Sequence, residues 1–404
     1  MNNWPEYRLG ELCTRITVGH VGSMTSRYTD KGVPFLRSQN IKRGHIDFSS
    51  IVYIDQDFHE ELTKSQLKPG DLVIVRTGEP GTAAVVPAGI GLLNCSDLVI
   101  ATPKSDMHAP FLCYAINETA QGFVRAHTVG AVQQHFNVRS AKELVLRVPS
   151  LEEQRAISGV LGALDDKIAI NERIAATARS LSRVRGENAI RSHVGEIGVL
   201  GDYITITKGL SYSSMDLEAG DAYLVTLKCI DRSGTFQHRG LKPYSGRAKP
   251  SQFVKHGDVV VAQTDLTQRA EVLGRAARVV ETIDGKHLVA SLDLAIVRPT
   301  SFLTSDYLEI LLGTREFREH ASAYANGTTV LHLNARALPE FTFPVPDAAL
   351  VDAVTNATRP LFDIAVQAQR ESHVISNLRD TLLPQLMSGR LRVRDAEMIV
   401  EDAL

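Results

Sequence analysis

Tryptophan occurs once and cysteine four times in this 404-residue chain, and aromatic residues make up only 6% of it. The cysteines, Cys13, Cys95, Cys113 and Cys229, lie far apart without a C-x-x-C pair, and the thirteen histidines show no H-E-x-x-H arrangement. These absences argue against a disulfide framework and against a structural zinc, so reduced thiols and no metal are expected. No run reaches the roughly 18 to 20 apolar residues of a membrane-spanning helix. The opening MNNWPEYRLGEL has neither a basic n-region nor an apolar h-region, so the expected location is cytoplasmic, with no membrane partner. Charge of one sign is missing too. The net charge is −2, with 15 basic against 14 acidic residues over 1–149 and 17 against 17 over 188–346. Affinity for a polyanion must then come from placing Lys and Arg on one face, or from a basic partner.

Catalytic signatures are equally scarce. There is no G-x-x-x-x-G-K-[ST] phosphate loop, no Asn-Pro-Pro-Tyr or Asp-Pro-Pro-Tyr segment of the amino-methyltransferase type, and no G-x-S-x-G elbow. The paired carboxylates Glu60-Glu61, Glu152-Glu153 and Asp165-Asp166 are sequence neighbours, which do not converge on one site in a helix. The chain is predicted to be non-catalytic.

What is present is a duplication. From Gly130 the sequence reads GAVQQHFNVRSAKELVLRVP, and from Gly327, 197 residues later, GTTVLHLNARALPEFTFPVP, with Gly, His-x-Asn-x-Arg, Glu and Val-Pro in register. A hydrophobic content of 44% with 22% charged residues suits soluble globular domains. The expected fold class is α+β: two tandem β-rich α/β domains, each followed by a long helix, with the two helices paired as an antiparallel coiled coil. The expected boundaries are 1–149 for the first head, 150–187 for the central helix, 188–346 for the second head, 347–390 for the second helix, and 391–404 for an acidic tail.

Ser150 and Glu153 form an S-x-x-E capping box after Pro149. Beyond it Ile157, Leu161, Leu164, Ile168, Asn171, Ala175 and Ala178 recur at spacings of four and three, a narrow coiled-coil seam extending to about Val184. Asn171 is its one polar member, either a register-setting buried amide or a solvated residue at a frayed seam. The second helix is expected to start at Asp347 and carries Val354, Ala357, Leu361, Ile364, Ala368, Ile375, Leu378 and Leu382; Pro360 should kink it or delay its start, and Pro384 with Gly389 should end it. Antiparallel pairing places the heads at opposite ends. A helix of about 35 residues spans roughly 50 Å, more than the approximately 34 Å of a DNA turn. Such a frame suits either two DNA half-sites or a protein-binding adaptor.

Within the heads, Gly70-Asp71 feeds the apolar run Leu72–Val75 and Gly257-Asp258 feeds Val259–Ala262. The first run exits into Arg76-Thr77 and the second into Gln263-Thr264. Arg presents two parallel donors to guanine, whereas Gln presents a donor and an acceptor to adenine. This change of type at matched strand ends is either a change of base preference or ordinary surface divergence. A second candidate surface is Arg37, Ser38, Gln39, Asn40, Lys42 and Arg43, echoed by the segment containing Lys228. A third is the loop before the repeated histidine, Ala131–Gln134 with Gln133 and Gln134, and Thr328–Leu331 with Thr328 and Thr329; Arg269 joins the candidate contacts. Asn137 and Asn334 read as N-caps, and Arg139 and Arg336 are expected to tie each head to its helix.

LRDTLLPQLMSGRL, Leu378–Leu391, and the L-x-x-L-D-x-K-I-x-x-N-x-x-I pattern from Leu161 to Ile174, preceded by P-x-x-E-x-Q from Pro149 to Gln154, resemble the DNA specificity (S) subunit of type I restriction-modification systems. The resemblance covers essentially the whole chain. It implies that the heads are target recognition domains reading a bipartite site in double-stranded DNA, and that the helices fix the spacer. It further implies two methyltransferase subunits as partners, restriction and translocase subunits in systems that cleave, and S-adenosylmethionine, ATP and magnesium on those partners rather than on this chain. The second helix departs from the pattern: Leu361-Phe362-Asp363 survives, but Ala365, Ala368 and Glu371 replace later positions.

Overall fold

Short β-branched runs become strands where both faces can be covered. The computed structural model describes residues 4–24, 26–126, 136–267, 269–282 and 284–403. In the first head these runs form β1 (Cys13–Val18), β2 (Val33–Leu36), β3 (Leu72–Val75), β4 (Ala83–Val85) and β5 (Leu98–Pro103). An antiparallel sheet has the order β1-β5-β3-β4. All four residues of central β3 are buried, which is why it reads as a continuous apolar run rather than an alternating one. A second sheet pairs β2 with Val52–Ile54 and, in parallel, with Asn94–Cys95.

The second head repeats this plan with β6 (Ile204–Lys208), β7 (Ala222–Val225), β8 (Val259–Ala262), β9 (Ala276–Arg278), β10 (His287–Ala290) and β11 (Leu294–Pro299). Its main sheet has the order β6-β11-β8-β9, and β7 runs parallel to β10 in the second sheet. The Gly-Asp turns are built alike. Gly70 and Gly257 take φ of 86° and 87°, a region that favours glycine. Asp71 accepts from the Lys68 amide at 2.9 Å and Asp258 from the Lys255 amide at 3.0 Å. All four cysteines are buried, and burial pushes the Cys13, Cys113 and Cys229 thiols up to about 12, keeping them protonated and unreactive.

The chain divides into two compact units, 1–168 with 374–404, and 169–373. Each holds one head and a stretch of both long helices, the central helix Leu151–Arg191 and the distal helix Ala348–Met387. The Ser150 hydroxyl accepts from the Glu153 amide at 3.3 Å, and the Asp347 carboxylate caps the distal helix through the Leu350 amide at 2.7 Å. In the first unit, Ile157, Leu161 and Leu164 are buried with Ile375 and Leu382 in the core of the head, and Ile168 and Leu378 pack at its edge. In the second, Asn171 is buried and its amide donates to Glu371 at 3.2 Å, while Ala175 and Ala178 pack with Ala365, Ala368 and Leu361. Central positions rise as distal positions fall, the antiparallel pairing expected.

Several expectations need correction. Ile364 is 48% exposed and Ala365 is fully buried in its place, because a layer of four alanines brings the helices too close for isoleucine. Val354 is buried, but in the core of the second head rather than on the helix seam. Val184, the expected end of the seam, is exposed; Ser182 and Gly186 face inward instead, and a Cβ on Gly186 would stand 2.6 Å from Ile310. Pro360 does not delay the distal helix, which starts at Ala348 and runs on through the proline. Pro360 and Asn356, whose carbonyl loses its intrahelical partner, are both exposed, so water can satisfy that carbonyl. Pro384 lies inside the helix, which stops at Met387 just before Gly389 at φ 66°. The acidic tail contains a further helix, Val393–Ala403, with Ala396 buried against the core of the first unit.

Candidate nucleic-acid interface

The sheets fix what stands at each strand end. Leu98 of β5 pairs with Val75 of β3, which sets Asp97 opposite Arg76. Arg76 Nη1 donates to Asp97 Oδ1, and Thr77 Oγ1 lies 3.4 Å from Oδ2. Asp97 holds a φ of 50°, a left-handed backbone that aspartate tolerates better than most residues. The Arg76 carbonyl accepts from the Phe136 amide at 3.0 Å. Arg76 is therefore anchored on one edge of its fork.

The second head builds the same frame around a different residue. Leu294 of β11 pairs with Ala262, so Asp293 faces Gln263. Thr264 Oγ1 donates to Asp293 Oδ1 at 3.0 Å, and the Gln263 carbonyl accepts from the Leu333 amide at 2.8 Å, matching Thr77-Asp97 and Phe136-Arg76. The Gln263 Nε2 is buried with no partner among the described residues.

In the first head a cleft brings two of the sequence candidates together: Arg37, Ser38, Gln39 and Lys42 on one wall, and Thr77, Gly78, Glu79 and Asp97 on the other. It carries two cations and two carboxylates, a mixed surface suited to hydrogen-bonded readout rather than bulk attraction. Gln39 and Lys42 are exposed. Arg37 Nη2 donates to the Ser50 carbonyl at 2.8 Å, and its guanidinium lies 5.8 Å from the Tyr28 ring centre. Asn40 is fully buried: its Oδ1 accepts from the Arg37 amide at 3.0 Å and its Nδ2 donates to the Asp47 carbonyl at 3.1 Å. It shapes the turn and is not placed to reach a ligand. Arg43 points elsewhere, to Glu118 at 3.2 Å.

In the second head the strand end opens into a longer loop. Asp265 is buried and accepts from the Thr267 and Val272 amides at 2.7 Å and from the Leu273 amide at 3.2 Å. Burial alone would raise its carboxyl, but these bonds hold it below the usual range. Thr264 and Asp265 pair with β13 (Leu331–Leu333) of the hairpin formed with β12 (Ala325–Asn326), so the exposed Thr328 and Thr329 at its tip belong to the same end of the head as Gln263. Arg269 is exposed on the loop, and Lys228 is exposed in the turn after β7. Thr264 is 8% exposed and structural. Gln133 and Gln134 lie outside the described residues.

Asn137 caps a short helix through the Arg139 and Ser140 amides at 2.9 and 3.0 Å, and Asn334 accepts from the Arg336 amide at 3.0 Å. Arg139 and Arg336 do not tie head to helix; they pair locally with Glu143 and Glu340 at 3.2 and 3.1 Å, because an i,i+4 carboxylate is nearer than the long helix. Sequence reading missed Asp97 and Asp293. Both precede a leucine that opens an apolar strand, Asp-Leu-Val-Ile and Asp-Leu-Ala-Ile, so aligning the two heads there would have found them.

Residues 1–178 match the family model described as the type I restriction modification DNA specificity domain. The type I restriction enzyme MjaIX specificity subunit of Methanocaldococcus jannaschii is 22% identical over 325 residues, covering 72% of this chain and 71% of that protein. A putative type I restriction enzyme MjaX specificity subunit of the same organism is 25% identical over 178 residues, 42% of each chain. The fold matches the crystal structure of a type I restriction-modification S subunit from M. genitalium with a TM-score of 0.61, over 96% of this chain and 97% of that one, at 14% identity. Residues 1–178 thus match a type I restriction modification DNA specificity domain, and the chain as a whole has the fold of a type I S subunit and resembles specificity subunits in sequence.

Proposed function

We propose that the two heads read the two parts of a bipartite sequence in double-stranded DNA, and that the paired helices fix the gap between the parts while docking two methyltransferase subunits. One observation carries this reading: the same Thr-Asp frame presents Arg76 in one head and Gln263 in the other. Those residue types favour guanine and adenine respectively. The contact set proposed for the first head is Arg37, Ser38, Gln39, Lys42, Arg76 and Thr77; for the second it is Lys228, Gln263, Arg269, Thr328 and Thr329.

The chain does no chemistry itself in this reading. S-adenosylmethionine serves the methyltransferase subunits; ATP and magnesium serve restriction subunits where the system cleaves, and the complex works in the cytoplasm. The near-neutral charge of the heads fits a subunit whose partners supply the clamp on the duplex. The test is reconstitution with the methyltransferase subunits on duplex DNA. Methylation confined to sites sharing two short motifs at a fixed gap supports the reading. Methyl transfer that ignores sequence, or a stable active complex with no salt-dependent DNA binding, refutes it.

A further inference from the structure

Duplication allows one place in the fold to be compared in both units. In the first unit a cleft beside the head helix Ala109–Ala126 is lined by Arg43, Tyr114, Glu118, Asp165, Arg379 and Asp380. Every cation in it is matched. Arg43 lies 3.2 Å from Glu118, and Arg379 lies 2.7 Å from Asp165 and 2.8 Å from Asp380. In the second unit the equivalent cavity has Phe362 where the first has Asp165, and Arg183 where the first has Asp380, each 197 residues away.

The consequence is an excess of positive charge. Arg179, Arg183, Arg275, Arg278 and Arg318 line this cavity, with Glu309 as its one carboxylate. Arg278 is paired, with Asp306 and with Glu309 at 2.8 Å. Three others reach only neutral carbonyls: Arg183 to Ser233 at 2.8 Å, Arg275 to Glu271 at 3.1 Å and Arg318 to Leu273 at 2.5 Å. Arg179 makes no hydrogen bond or ion pair among the described residues; Asp231 and Glu309 act on it only through space. Arg278 is 3% exposed, and its Nη2 is buried and unpartnered. Burial lowers the Arg179 and Arg275 guanidiniums, and burial together with Arg275 brings Arg318 down to about 10. Burial also raises Glu309, weakening the one counter-charge.

Arg179, Arg275 and Arg318 are half-buried and Arg183 is exposed, so these cations are partly withdrawn from water without a carboxylate partner, a cost that a bound counter-ion offsets. We propose that this cavity is an anion site that takes a single phosphate group. Guanidinium forks match the oxygens of a tetrahedral oxyanion in bidentate fashion, where carboxylate partners are absent. A cavity of about 70 Å³ has room for one such group. Arg275 closes the loop that starts at Gln263, and Arg318 holds that loop through Leu273, so occupancy bears on the strand end of the second head. The phosphate comes either from the duplex backbone or from solution, and the site stands whichever bases the heads read.

The test uses the full chain. Thermal unfolding is followed against inorganic phosphate at ionic strength held constant with sodium chloride, alongside phosphorus NMR line width. The expected result is a saturable rise in Tm with parallel broadening, and in Arg179→Ala an affinity about tenfold weaker or worse. Without phosphate, Arg179→Ala should be at least as stable as the parent, since it deletes an unpartnered cation; an arginine of purely structural value would lower Tm there. Should that variant fail to fold, Arg183→Ala, on an exposed side chain, asks the same question. A Tm indifferent to phosphate at matched ionic strength, or a folded variant that binds phosphate as the parent does, overturns the site. Where phosphate binds, displacement by a short duplex identifies the backbone as its source, and lack of displacement identifies free phosphate.

Discussion

Arg76→Gln converts the strand end of the first head into that of the second, and the structure separates its effect on folding from its effect on reading. The Arg76 and Asp97 side chains are 21% and 42% exposed, so solvent screening limits their pair to at most about 1 kcal/mol. The bond from the Phe136 amide to the main-chain carbonyl of residue 76 survives the change, as does the contact between Thr77 and Asp97. Loss of a bidentate fork on guanine costs about 1 to 3 kcal/mol at one base pair, or about 5- to 150-fold in affinity. The assay is binding of the reconstituted complex to duplexes altered one position at a time, at one salt concentration. Discrimination should collapse at a single base pair in the part read by the first head and persist elsewhere. Equal weakening on every duplex would make Arg76 a backbone contact, and no change would remove it from the interface; either result refutes the reasoning.

Other predictions concern the scaffold. Asp306 is 1% exposed and joins Arg278 to Arg359, so Asp306→Ala should cost about 3 to 5 kcal/mol in denaturant unfolding, against under 1 kcal/mol were the triad dispensable. Ala368→Leu overfills the alanine layer and should cost about 1 to 3 kcal/mol in the same assay; no loss would mean the helices are less closely packed than described. Asp265 has its folded pKa lowered by its hydrogen bonds, so its stability contribution is present above the unfolded value of about 3.9 and is lost as pH falls through the folded value. Below about pH 4 the parent should therefore lose Tm faster than Asp265→Asn; parallel curves would show that the loop does not depend on that charge.

Period and duplication made most of the architecture legible. Leu72–Val75 and Val259–Ala262 read as buried strands and are the centres of matching sheets, and both helix caps lie where the capping residues stand. Seam details were less legible, because hydrophobicity ranks Ile364 over Ala365 while close helix packing reverses that order. Tail composition hid a helix whose small and branched apolar residues, Val393, Ala396 and Val400, are spaced among acids. At the candidate interface the strand-end residues could be named from sequence, but their anchors could not. Asp97 and Asp293 lie some 20 to 30 residues from Arg76 and Gln263, and only sheet register brings them opposite. The arginine cavity was invisible for the same reason, since its five guanidiniums are contributed by residues from 179 to 318.

The most direct measurement is to exchange the second head, co-express the hybrid and the parent with the methyltransferase subunits, and map N6-methyladenine across host DNA by single-molecule sequencing. The account predicts a two-part motif for each chain, with the gap and one part shared and the other part replaced. A hybrid that methylates the parental motif unchanged, or one whose two parts both change, would contradict the claim that each head reads its own part of the target.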